Sequence, residues 1–121
     1  MSGHILVVED QEDNRRILRD LLTSAGLEIV EAPTGEDGVR MATENPPRLI
    51  LMDIQLPGID GYETTRRIRA QISLMHVPII AVTSYALSGD DVKAREAGCN
   101  DYISKPYSPR ALLRMIQQYL A

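Results

Sequence analysis

The sequence predicts a three-layer α/β/α sandwich, (βα)5, on a five-stranded parallel sheet of order 2-1-3-4-5. Short branched apolar runs alternate five times with amphipathic helical patterns, and such alternation demands right-handed crossovers and a parallel sheet covered on both faces. The runs stop abruptly at polar residues, Glu9-Asp10, Asp53, Thr83-Ser84 and Lys105-Pro106, where open α/β sheets carry their ligand-binding loops. The 121 residues suit one core that buries roughly two thirds of the unfolded surface. Residues 1–121 therefore read as one domain, with no output domain beyond the last helix.

Ile5-Leu6-Val7-Val8 is a buried strand, stopped by Glu9-Asp10. Ile17, Leu18, Leu21, Leu22 and Ala25 recur at helical spacing, and Gly26 is the stop. Leu27 to Glu31 forms a second strand, after which Thr34 caps a helix carrying Val39, Met41 and Ala42. Asn45-Pro46-Pro47 ends that helix, because proline removes donors and restricts the residue before it. Leu49 to Met52 is the third strand, and Pro57-Gly58 turns the chain into a helix from about Gly61 to Gln71. Val77 to Val82 is the fourth strand, with Pro78 near its start. Ser88-Gly89-Asp90-Asp91 resembles a capping box for a helix that ends at Gly98. Asp101 to Ser104 is a short fifth strand. Ser108-Pro109 caps a last helix with the stripe Leu112, Leu113, Met115, Ile116, Tyr119 and Leu120.

Composition narrows the function classes. At 44% hydrophobic, 25% charged and a net charge of -4, the chain suits a compact fold and argues against a general nucleic-acid or anionic-membrane binder. The cluster Arg66, Arg67 and Arg69 reads as a solvated helix face. A single cysteine, Cys99, cannot pair within the chain and reads as a small semi-buried hydrophobe in a reducing compartment. MSGHILVVEDQ reaches acids after four apolar residues, so no signal core or spanning segment is expected and the cytoplasm is the expected location.

If the order is 2-1-3-4-5, the first and third strands flank the switch point and Glu9, Asp10 and Asp53 converge. Two carboxylates about 4 Å apart repel by roughly 4 kcal/mol at an effective dielectric near 20, so a cation is expected. Oxygen-only ligands suit a hard ion such as Mg²⁺. His4 and His76 lie outside this set and read as structural. Thr83 and Lys105 would complete the rim and hold a phosphoryl group by hydrogen bond and charge.

LVVEDQEDN, LILMDIQLPGIDG, IIAVTSYA and DYISKPYS resemble, in order and spacing, the receiver domain of two-component response regulators, the CheY-like superfamily. The resemblance covers essentially the whole chain. It implies that Asp53 accepts a phosphoryl group from a histidine kinase, a histidine phosphotransfer protein or a small acyl phosphate. It implies Mg²⁺ held by Asp10 directly, by Asp53, by Glu9 mostly through water and by the Gln55 backbone carbonyl. Thr83 and Lys105 would contact phosphoryl oxygens, Lys105-Pro106 would be cis, and Tyr102 would be the switch aromatic that turns inward as Thr83 moves. The chain would be a stand-alone regulator, catalysing only its own phosphotransfer and dephosphorylation and existing as a monomer or weak dimer. Output would be protein contact through the fourth helix, fifth strand and fifth helix, with Ala86, Leu87, Ala94, Arg110, Arg114 and Gln118 contributing. Glu9 stands where the family more often has Asp, and Gln55 and Tyr85 occupy variable rim positions that bear on dephosphorylation.

Three other readings remain open. A Mg²⁺-dependent phosphohydrolase of the haloacid dehalogenase kind also uses an Asp after a strand, but needs a second Asp where Gln55 stands. A flavodoxin-like cofactor carrier would need a donor-rich loop after the first strand, where this chain is anionic. A degenerate receiver acting as a scaffold would lack rim residues that are present here.

Overall fold

The computed structural model describes residues 3–84 and 90–121. Five strands, β1 (His4–Val8), β2 (Glu28–Ala32), β3 (Leu49–Asp53), β4 (Ile79–Thr83) and β5 (Asp101–Ser104), alternate with five helices, α1 (Glu12–Ser24), α2 (Gly35–Glu44), α3 (Gly61–Arg69), α4 (Asp90–Ala97) and α5 (Pro109–Leu120). All strand pairs are parallel, and the order is β2-β1-β3-β4-β5, as the sequence predicts.

Strand parity divides the core. Leu6, Val8, Ile50, Met52, Ile79 and Ala81 pack with Ala42 of α2, Ile68 of α3 and Ala94 of α4. Ile5, Val7, Leu49, Leu51 and Ile80 face the other way, onto Leu18 and Leu22 of α1 and Leu112 and Ile116 of α5. Side chains alternate across a strand, so the central strands are apolar at every position but the terminal His4, Asp53 and Thr83, and β1, β3 and β4 are buried throughout.

The helix starts are set by capping side chains. Thr34 accepts from the Asp37 N–H, Asp60 from that of Glu63 and Ser108 from that of Ala111; each cap contributes about 1 kcal/mol. Gly26 and Gly98 follow α1 and α4 with φ of 81° and 117°, the left-handed region that a Cβ disfavours. The capping box expected at Ser88 lies outside the described residues.

Several elements differ from expectation. β3 runs one residue further, because Asp53 still pairs with Val82 and the Ile54 N–H bonds the Val82 carbonyl. β4 starts at Ile79 and ends at Thr83, since Pro78 has no N–H to enter the ladder. A 3-10 turn, Ile72–Leu74, follows α3. Ile17 is 61% exposed rather than buried with Leu18 and Leu22, because it lines an open cavity at the edge of α1. Ala94, expected on an exposed output face, is fully buried in the core beneath α4, where its small side chain lets that helix sit close to the sheet.

Arg69 also departs from the solvated basic face. It is only partly exposed and donates to the carbonyls of Gly98 (2.9 Å), Leu74 (2.8 Å) and Met75 (3.3 Å) and to Asn100 Oδ1 (2.7 Å). Its planar fork satisfies groups left at the ends of α4 and of the 3-10 turn. Arg66 and Arg67 remain outside, paired with Glu63. Cys99 is buried beside Thr65, His4 is buried and His76 exposed. Among the described residues, no helix is long and apolar enough to cross a membrane.

Candidate functional site

The carboxyl ends of β1 and β3 lie side by side, as the register of Val8 with Met52 requires. Glu9 and Asp53 are 3% and 5% exposed, while Asp10 is partly exposed. Each of these three acids offers an oxygen within 4.8 Å of the others. Burial is the main reason the Asp53 carboxyl is pushed up to about 7; the charge of Glu9 adds to the effect and Lys105 opposes it. Burial also raises Asp10, helped by Glu9. The cluster therefore has a deficit of positive charge. Its donors are all carboxylate oxygens, so it fits a hard divalent cation such as Mg²⁺.

Backbone geometry holds the acids in place. The Gln11 N–H donates to Glu9 Oε2 at 3.0 Å, and Arg15 donates through Nη1 to the Glu9 carbonyl at 2.9 Å. The Gln55 N–H donates to Asp53 Oδ1 at 3.2 Å. After this turn, the Gly61 N–H returns to the Ile54 carbonyl. Gly61 must be glycine, because a methyl group there would overlap the Asp53 carbonyl oxygen and Ile54 Cα.

Across the rim, the Lys105 ammonium lies 3.4 Å from Glu9 Oε1 and 3.9 Å from Asp53 Oδ1. The Lys105–Pro106 peptide bond is cis, and the Lys105 N–H bonds the Thr83 carbonyl, so β4 and the segment after β5 are joined directly behind the rim. Thr83 is 1% exposed. Its hydroxyl accepts from Gln55 Nε2 at 2.9 Å, and Gln55 Oε1 accepts from the Ser84 N–H at 3.0 Å.

Asp53 shares its parity with Leu49 and Leu51 and so opens toward α1 and α5. There a cavity of about 340 Å³ is lined by Ile17, Leu18, Leu51 and Tyr107, with Glu9, Asp53 and Lys105 among its polar lining. Burial, then the charges of Glu9 and Asp53, raises the Tyr107 hydroxyl.

The structure thus brings together Glu9, Asp10, Asp53 and Lys105, and joins Gln55 to Thr83. Tyr102 stands apart on β5, paired with Ala81 and half-buried against the α2–α4 side of the core. Arg110, Arg114 and Gln118 are exposed on α5; Tyr85, Ala86 and Leu87 lie outside the described residues. Sequence reading did not see the Gln55 side-chain contacts, which depend on turns meeting across the sheet, or the Arg15 contact to Glu9, which depends on how the first turn of α1 sits against the end of β1.

A family model, the response regulator receiver domain, matches residues 5–117. The chain is 41% identical over 120 residues to the polar-differentiation response regulator DivK of Brucella ovis, covering 99% of this chain and 98% of that protein. It is similar to the solved receiver domain of the sensor histidine kinase PA1611 from Pseudomonas aeruginosa, described with a magnesium ion coordinated in its active-site cleft. That likeness has a TM-score of 0.91 and 40% identity, and covers 99% and 98% of the two chains. The chemotaxis protein CheY4 of Vibrio cholerae, 24% identical with a TM-score of 0.92 over 98% and 99% of the chains, shares the fold.

Proposed function

The chain belongs to the response regulator receiver family, and from that premise we propose that Asp53 is the phosphoacceptor of a cytoplasmic regulator that signals by phosphorylation-dependent protein contact. The observation that carries this is the convergence of Glu9, Asp10 and Asp53 on one rim, with Lys105 shared between Glu9 and Asp53.

The donor is a phosphohistidine on a kinase or phosphotransfer protein. An Asp53 oxygen attacks phosphorus, a new O–P bond forms and the N–P bond breaks. The imidazole leaves with the electron pair and takes up a proton. Glu9, Asp10, Asp53 and the Gln55 backbone carbonyl would hold Mg²⁺, which supplies positive charge against the carboxylates and the transferring group. Lys105 and the Thr83 hydroxyl then contact phosphoryl oxygens by charge and hydrogen bond. The added charge and three acceptors bias a two-state element that includes Thr83 and Tyr102. Output contact runs through α4, β5 and α5, with Arg110, Arg114 and Gln118 exposed to a partner. This chemistry is confined to the chain's own phosphorylation and dephosphorylation. A phosphohydrolase reading is disfavoured by Gln55, which stands where a general acid would be needed.

Incubation with a phosphorylated phosphotransfer protein and Mg²⁺ should move label onto the chain as an alkali-labile acyl phosphate, once per molecule. Sustained turnover of phosphate monoesters would overturn the signalling assignment.

A further inference from the structure

We infer that the Gln55 side chain is a resting-state latch on Thr83, which makes Gln55 a positioning residue for the switch. This rests on the phosphoacceptor reading above. Gln55 is half-buried and stands two residues beyond Asp53. Its backbone N–H holds Asp53 Oδ1 at 3.2 Å, while its carboxamide donates to Thr83 Oγ1 at 2.9 Å and accepts from the Ser84 N–H at 3.0 Å. One residue thus links the acceptor carboxylate to the end of β4. A carboxamide donates and accepts at once without adding charge.

For its hydroxyl to turn toward a phosphoryl group on Asp53, Thr83 must leave Gln55 or strain that bond. Thr83 is almost wholly buried, so giving up the Gln55 bond there costs more than it would at the surface. The latch therefore favours the resting arrangement, and a phosphoryl group binds with an affinity reduced by the small fraction of chains already in the competent one. Breaking the latch raises that fraction.

The test titrates beryllofluoride, a phosphoryl analogue, into the full chain at saturating Mg²⁺. Gln55→Met keeps length and removes both polar atoms; it should tighten beryllofluoride about tenfold, equivalent to 1.4 kcal/mol. Gln55→Ala should shift affinity in the same direction. In a Thr83→Ala background, the effect of Gln55→Met should fall below about twofold, since the coupled partner is gone. Unchanged or weaker beryllofluoride binding in both single variants overturns the latch, as does an undiminished gain in the Thr83→Ala background. A parent chain that binds no beryllofluoride with Mg²⁺ overturns the phosphoacceptor reading itself.

Discussion

The ammonium of Lys105 stands 3.9 Å from the Asp53 carboxylate, beyond hydrogen-bond reach but within ion-pair range. It lies closer to Glu9, at 3.4 Å, so one cation serves two buried acids. That incomplete balance governs how the site responds to pH, to metal and to substitution.

The contribution of Asp53 to stability without divalent cations should fall as pH rises from about 4 to about 7. The folded Asp53 carboxyl is pushed up to about 7 from 3.8, first by burial and then by Glu9. The folded state thus holds the proton over a range where the unfolded chain has released it, and stability declines with pH there. Asp53→Asn removes this contribution. Urea unfolding should show the variant gaining on the parent by a few kcal/mol between those limits, at about 1.4 kcal/mol per pH unit. A difference that does not change with pH would contradict this account.

Mg²⁺ should offset the same repulsion. At ten times its Kd it contributes about 1.4 kcal/mol, or roughly 5 °C in melting temperature for a domain of this size. Asp10→Asn or Asp53→Asn should lose most of that gain in a thermal melt at pH 7.5. Equal gains in parent and variants would place the ion elsewhere.

Lys105→Met should fold, because the residue is partly exposed and its main-chain bond to Thr83 is retained. It should still bind Mg²⁺, yet transmit phosphorylation poorly, since among the described residues the Lys105 ammonium is the cation that reaches both Glu9 and Asp53. Amide spectra with beryllofluoride check this. The Tyr102 resonance should shift much less than in the parent, and a full shift would show that Lys105 is dispensable to the switch.

Arg69→Ala should cost about 2–3 kcal/mol, because it strands the part-buried carbonyls of Gly98 and Leu74, at the ends of α4 and of the 3-10 turn. Arg69→Lys should recover only part, since an ammonium cannot span the same acceptors. Urea midpoints decide this; a loss below about 0.5 kcal/mol is what an ordinary surface substitution gives.

Much of the site was legible because strand ends announce themselves. An acid after Leu49-Ile50-Leu51-Met52 has to emerge at the carboxyl end of a buried strand, and Glu9-Asp10 repeats the pattern one strand away. What escaped was set by side-chain reach between distant segments. Arg69 looks like Arg66 and Arg67 until the loops at Leu74 and Gly98 come beneath it. Ile17 keeps helical register with Leu18 and Leu21 but lies over the cavity. Ala94 is too small for its sequence to reveal which side of α4 it takes. The Gln55 amide depends on how closely the turns after β3 and β4 approach, which neither turn specifies alone.

The central claim is that Asp53 accepts one phosphoryl group. Intact mass after incubation with Mg²⁺ and acetyl phosphate tests it most directly. The parent chain should gain a single phosphoryl group and Asp53→Asn none; no gain in the parent, or an equal gain in the variant, would contradict it.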